Sequence, residues 1–460
     1  MGIANNRLSY EAQTMMSKRH MERAKQVMPG GMTANIKHFE PYPIAIKRAH
    51  GSRMFDVDGH EYIDYLMGYG ALMLGHGHEE VKSAIQQQIE QDGTWLFGTP
   101  HEKEAAFAER LLRYFPSMES VRYTNSGTEA NLLALRLAMA HTGKYKIAKF
   151  EGHYHGAIDS LLISVSPNEQ DAGTAHEPNR VADSYGMDEL AMQNTFVLPF
   201  NQYEHCEKIL TEHADEIGAL IVEPLEAGII APTNDFLQKL HTLTKKLNIV
   251  LIFDEVKTGF RTGMGGVQNL YNVEPDLTTM GKVVGGGFPF GVVGGKQEIM
   301  GRTSPLTGFD FFADQDQTDR KQLALFHSGT YNGHPLVLAA GLATLDVLEE
   351  EMSDLLIRTE QFKSELESIF KKHSLPMKAV GIGSLFSVLF TNKESLSNYR
   401  CFEHVDKKLR TEMDRALFQE GIYVKPGNRY SMSVAHDDEA IEKTIMAYEK
   451  VVPTLFPSND

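Results

Sequence analysis

Lys282 sits between an apolar run and a glycine-rich stretch, in PDLTTMGKVVGGGFPFG, residues 275–291. A lysine in such a setting reads as a nucleophile, because desolvation favours its neutral amine. The glycines themselves match neither a Walker loop nor a dinucleotide fingerprint. Three other motifs offer matching chemistry. YTNSGTEAN, residues 123–131, leaves a strand-like run and opens a helix-like one. Ser126, Gly127 and Thr128 there offer hydroxyls and helix N-terminal N–H groups to a phosphate. The same residues fit a capping box, Ser126 with Glu129 three positions on, and the two readings are compatible. FEGHYHGAID, residues 150–159, offers Tyr154 as a flat platform, with His153 and His155 as polar neighbours. A metal reading of the two histidines lacks a supporting cluster. LIFDEVKTGF, residues 251–260, ends a hydrophobic run on Asp254. A carboxylate there needs a partner, either Arg261 or a buried cationic nitrogen.

Together the four motifs describe one ligand. A phosphate sits at Ser126, Gly127 and Thr128, a ring lies on Tyr154, a ring nitrogen pairs with Asp254, and Lys282 holds an aldehyde as a Schiff base. That ligand is pyridoxal 5'-phosphate. A hydrogen bond to a charged group contributes about 1.5–3 kcal/mol, enough to bias the pyridine nitrogen toward its protonated form.

These residues need elements to hold them. Residues 121–125, 145–152, 194–201, 218–224 and 248–255 read as short strands, several of them near-continuous apolar runs. Helical periodicity over 127–143 and 234–247 alternates with them, which predicts a mainly parallel α/β sheet. Residues 11–28 read as an amphipathic helix stopped by Pro29, 53–66 as a hairpin around Asp58-Gly59, and 78–91 and 101–115 as helices. After residue 352 helices dominate, with strand-like pieces at 384–390 and 421–426, so a smaller α+β domain is expected. Residues 164–193 and 302–326 read as polar insertions.

The motifs, in this order, resemble the class III, pyridoxal-phosphate-dependent aminotransferases of fold type I. Within them the chain is most similar to the glutamate-1-semialdehyde 2,1-aminomutases, through VMPGGM, FDVDGHEYIDY, NSGTEA, YHG, FDEV, TGFR, HSGTYNGHP and EGIYVKP. The resemblance implies a large domain around a seven-stranded sheet (76–335), a small C-terminal domain (336–460), and an N-terminal segment (1–75) packing with it. It implies that Lys282 and Asp254 are catalytic, Lys282 also shuttling the proton. It assigns the cofactor to Ser126, Gly127, Thr128, Tyr154, His155, Asp254, Val256, Lys282 and Glu226, with Val256 on the ring face opposite Tyr154. Thr330 would serve the phosphate of the neighbouring subunit, so a homodimer with shared sites is implied. The implied reaction is transfer of an amino group from an amino acid or amine to a keto acid or aldehyde, by way of pyridoxamine phosphate. An intramolecular aminomutase is the alternative, followed by a racemase or epimerase and by a non-catalytic cofactor-binding protein.

Departures bear on the substrate. Lys37 stands where the aminomutases carry an arginine for the substrate carboxylate, and lysine lacks the bidentate fork. No asparagine follows the VEP motif, and Glu226 is the nearest polar candidate. Arg429 is a second candidate carboxylate clamp, and Tyr69 a further substrate contact. Lys257 replaces the usual methionine and is expected on the outer side.

Composition sets the outer limits. The 460 residues carry 45 basic and 61 acidic side chains, a formal charge of −16. That argues against nucleic-acid or anionic-membrane partners. Two cysteines exclude a disulfide framework or a four-cysteine zinc site. With no signal-like N-terminus, a soluble cytoplasmic protein is expected.

Overall fold

The computed structural model describes residues 10–306 and 324–455. Its strands in chain order are β1 (Ile46–His50), β2 (Arg53–Asp56), β3 (Glu61–Asp64), β4 (Ser120–Thr124), β5 (Lys146–Phe150), β6 (Thr195–Leu198) and β7 (Ile217–Val222). They continue with β8 (Val250–Asp254), β9 (Leu277–Gly281), β10 (Gly291–Gly295), β11 (Met377–Val380), β12 (Leu385–Phe390), β13 (Ile422–Tyr423) and β14 (Tyr430–Ser431). Seven of them form the main sheet in the order β4-β10-β9-β8-β7-β5-β6. From β9 to β6 every pair is parallel, and only β10 runs against its neighbours.

The apolar runs are near-continuous because the sheet is covered on both faces. Leu220, Val222, Leu251 and Phe253 point to one side, with Leu210, Leu237 and Leu240 from the helices Tyr203–Glu212 and Phe236–Leu247. Ala219, Ile221, Val250 and Ile252 alternate to the other, against Leu133, Ala134 and Leu137 of the helix Gly127–Thr142. The two-residue period of a strand thus feeds two cores.

The motif around Lys282 holds two strands that apolar periodicity did not mark. LTTMG is β9, and GVVGG returns antiparallel as β10. Glycine is required in β10 by close approach: a Cβ on Gly291 would collide with the Ser126 carbonyl, and one on Gly294 with Met118. At the preceding turn, Gly286 has φ +58° and packs against the Ala340 carbonyl of the 38-residue helix Pro335–Lys372.

Two smaller sheets complete the molecule. β11, β12 and β14 form one. In the other, the β2–β3 hairpin gains β1 on one edge and β13 in parallel on the other, so residues from both ends of the chain share a sheet. The N-terminal helix is broken at Thr14, whose hydroxyl donates to the Tyr10 carbonyl, giving Tyr10–Gln13 and Met15–Lys25. The 164–193 excursion is mostly irregular, and Arg400 ties it down through the carbonyls of Ala172 and Gly173. Most of the 302–326 excursion, 307–323, lies outside the described residues. Among the described residues no helix is long and apolar enough to cross a membrane.

Candidate active site

The four motifs converge because each follows a strand that runs in the same direction. Ser126, Gly127 and Thr128 follow β4, residues 153–155 follow β5, Glu223 follows β7, Asp254 ends β8, and Lys282 follows β9. The carboxyl edge of a parallel sheet leaves loops and helix N-termini free to bind ligands.

Asp254 is buried, at 3% exposed, beside the equally enclosed His153, His155 and Glu223. Its Oδ2 accepts from His155 Nδ1 at 2.7 Å and from Asn131 Nδ2 at 2.8 Å, and its Oδ1 accepts the Val256 N–H at 3.0 Å. Asn131 is itself fixed, its Oδ1 accepting the Thr279 hydroxyl at 2.6 Å. All these donors are amides or an imidazole. Arg261 is not the counter-ion: it donates to the Gly70 and Met432 carbonyls and the Ser384 hydroxyl. The carboxylate is therefore oriented, buried and open to one cationic partner.

Lys282 has φ +50°, a left-handed conformation that costs a non-glycine residue about 1–2 kcal/mol. Backbone strain of this kind concentrates at functional sites. Burial, then the nearby charge of Lys257, pushes its amine down to about 8, with Asp254 and Glu223 opposing. A substantial neutral fraction is thus available for attack or for accepting a proton.

Ser126 caps the helix Gly127–Thr142, its Oγ accepting the Glu129 N–H at 3.1 Å. In the reciprocal bond Glu129 Oε2 accepts the Asn125 N–H at 2.8 Å, rather than that of Ser126. Gly127 admits Val256: a Cβ there would lie 2.6 Å from Val256 Cγ1. The two histidines have separate tasks. His153 Nδ1 accepts the Glu223 N–H at 3.0 Å, while His155 holds Asp254. Tyr154 between them is half-exposed.

Lys257 lies inward, not on the outer side. Its Nζ is 2.5 Å from Glu223 Oε1, and its side chain is 14% exposed. Glu223 also accepts the Tyr154 N–H at 3.2 Å. Burial would raise Glu223, but Lys257 and His153 carry it down to about 2, so it is a permanent anion. Arg429 reaches the same neighbourhood and donates Nη1 to the Ala227 carbonyl. Glu226 packs against Gly152 and Tyr399, its oxygens buried without a well-formed hydrogen bond. Burial and then Glu223 push its carboxyl well above the usual range. Lys37 is exposed, with its Nζ on the Thr33 hydroxyl at 2.8 Å. Tyr69 donates to the Ile36 carbonyl at 2.8 Å and so anchors that turn. Thr330 is exposed on this chain.

Sequence reading passed over Asn131, Glu223 and Thr279. The available signal for Asn131 was a polar residue on the apolar face of a helix, flanked by buried Ala130, Leu133 and Ala134.

The residues present fit pyridoxal phosphate. The Asp254 carboxylate lacks a Lys or Arg counter-ion among the described residues, His155 Nε2 is buried and unpaired, and the helix Gly127–Thr142 begins at a turn packed directly against Val256. Ser126, Gly127 and Thr128 could hold its phosphate, Tyr154 and Val256 its ring, and Asp254 its ring nitrogen.

Comparison with known proteins agrees. The family model for aminotransferase class-III matches residues 35–442. The glutamate-1-semialdehyde 2,1-aminomutase of Ignicoccus hospitalis is 38% identical over 441 residues, 94% of this chain and 97% of that one. An omega-transaminase from Sphaerobacter thermophilus superposes with a TM-score of 0.87 at 32% identity, covering 95% of this chain and 97% of the other. A transaminase with PLP bound superposes at 0.83 and 30% identity, covering 96% and 98%. The chain belongs to the class III aminotransferases, enzymes of fold type I that depend on pyridoxal 5'-phosphate.

Proposed function

We propose that this enzyme moves an amino group within one small acidic substrate, as a 2,1-aminomutase acting on glutamate 1-semialdehyde or a close analogue. The observation that carries this reading is the end-to-end similarity to an aminomutase, 94% of this chain against 97% of the relative. A cationic neighbourhood beside Lys282 supports an acidic substrate, with Arg429 and Lys257 both felt by its amine.

Bound in the site, the cofactor supplies an aldehyde that takes up the amino group and a ring that withdraws electrons from the substrate carbon. The chain does the rest. Asp254 keeps the ring nitrogen protonated, and His155 and Asn131 fix the carboxylate for that task. Lys282 Nζ takes the proton from the substrate carbon and returns it elsewhere, which a group near its own midpoint does efficiently. Tyr154 and Val256 confine the ring between them, and Ser126, Gly127 and Thr128 anchor the phosphate. Thr330 is assigned to the phosphate of the neighbouring subunit in a homodimer.

A second reading is intermolecular transamination between an amino acid or amine and a keto acid or aldehyde. Lys37 favours it, being exposed and lacking the fork that grips a carboxylate at that place in the aminomutases. One assay separates the two. Cofactor-loaded protein given glutamate 1-semialdehyde alone should produce the isomeric amino ketone catalytically. If turnover requires both an added amino donor and a keto acceptor, the aminomutase reading fails and transamination stands.

A further inference from the structure

Two cations, Lys257 and Arg429, and two carboxylates, Asp254 and Glu223, act on the Lys282 amine. Lys257 stands three residues after Asp254, its Nζ on Glu223. Arg429 comes from the far side, between β13 and β14, and is bound to the Ala227 carbonyl. A Cβ on Gly228 would lie 2.7 Å from Lys257 Cδ, so Lys257 packs on the same 227–228 turn that Arg429 grips. Both cations act electrostatically on Lys282 and on each other.

Two carboxylates face them, Asp254 and Glu223. In the reading above Asp254 is committed to the ring nitrogen, while the neighbouring Glu226 is pushed well above the usual carboxylate range by burial and then by Glu223. With Asp254 paired to the cofactor, Glu223 is the one carboxylate left to face both Lys257 and Arg429 in a largely desolvated site. Such an excess is unfavourable unless a ligand brings the missing charge.

We propose that Lys257 and Arg429 together form the subsite for the substrate carboxylate, with Glu223 as the internal counter-ion that occupies Lys257 until substrate arrives. Lys257 thereby becomes a specificity-determining residue, at a position where the family motif carries methionine. Arginine supplies the planar fork and lysine a movable point charge. Glu223 is not orphaned when Lys257 turns to the ligand, since it keeps the Tyr154 N–H. The inference rests on the acidic-substrate reading above and adds which residues read the acid.

The test is calorimetric binding of glutarate and of its uncharged diamide, glutaramide, to the cofactor-loaded enzyme. Neither compound carries a reactive amine. Wild type should prefer glutarate. Lys257→Met should weaken glutarate about tenfold or more and leave glutaramide unchanged, the loss expected for one charge-assisted contact. Glu223→Gln should tighten glutarate, because it removes the competitor for Lys257; a merely structural role would not do so. Since Lys257→Met leaves Glu223 buried with the Tyr154 N–H but no cation, the double variant Lys257→Met/Glu223→Gln guards against misfolding and should also bind glutarate weakly. Full glutarate affinity in the double variant, or parallel loss of both ligands, would overturn the proposal. A wild type without acid preference would overturn it too, while leaving the isomerisation assay to decide the reaction. Conversely, failure of that assay removes the aminomutase reading and leaves the binding contrast intact.

Discussion

At the scale of single residues, the site works by controlling one amine. An ordinary lysine near 10.5 is neutral in fewer than about one molecule in a thousand at pH 7. Lys282, pushed down to about 8 by burial and by Lys257, is neutral in about one in ten at pH 7 and half-neutral at pH 8. The sign follows from which form is disfavoured. Burial and neighbouring cations both penalise the ammonium, so its proton is lost at lower pH than in the unfolded chain. In cofactor-free protein, labelling of Lys282 by an amine-reactive reagent, read by mass spectrometry, should therefore rise through about pH 8 and level off above it. Lys257→Met should move the midpoint upward. An inflection near 10 in the native protein would mean that the amine is solvated and the site differently charged. Lys282 and Asp254 were legible in sequence because each ends an apolar run, and a charged group is costly there without a partner. Lys257 was not legible. Its direction is set by Glu223, more than thirty residues away, and by the space that Gly228 leaves for its stem.

At the scale of elements, the turn proposed for the phosphate and the residue proposed to pack on the ring are one construction. Gly127 opens the helix Gly127–Thr142, and Val256 follows β8, yet no Cβ fits between them: it would lie 2.6 and 2.8 Å from the two methyls of Val256. Gly127→Ala should displace Val256 and weaken cofactor binding about tenfold or more, in the range of an overpacked site. Val256→Ala alone should cost less, and adding it to Gly127→Ala should recover part of the affinity. Equilibrium dialysis of the cofactor against the four proteins closes the cycle, and purely additive losses would mean that the two residues act separately. The parallel core was readable because β7 and β8 are unbroken apolar runs of strand length. β10 was not, since three of its five residues are glycine. It is selected by close approach to Ser126, Met118 and the β9 backbone rather than by β-propensity, and only the assembled sheet reveals that. The two-residue β13 was equally hidden as an added strand of the hairpin sheet, because it pairs with β3 across some 360 residues of chain.

At the scale of the whole molecule, the question is what covers the ground beside the phosphate turn. Trp95, Phe97, Phe326 and Tyr331 are each 40% exposed or more. Phe97 contacts the ring of His101, and His101 Nε2 lies 2.7 Å from the Gly333 carbonyl, so the segments 95–101 and 326–334 form one surface. Exposed aromatic patches of this kind mark interaction sites. Thr330 stands on that surface, and Asn332 two residues on accepts from Asn125 at 3.1 Å, next to Ser126. The proposed assignment of Thr330 to the phosphate of a neighbour across a two-fold axis competes with service to its own subunit. Subunit hybrids decide between them. In a mixed dimer of Lys282→Ala and Thr330→Ala chains, action across the interface puts both defects in one site and leaves the other with native Lys282 and native Thr330. Activity should then reappear in the hybrid, although each parent is impaired. If Thr330 acts within its own chain, each site keeps one defect and no activity returns. Tandem affinity tags isolate the hybrid, and steady-state assay of that fraction against the two parents reads the result. A protein that sediments as a monomer with full activity would remove the shared-site arrangement altogether.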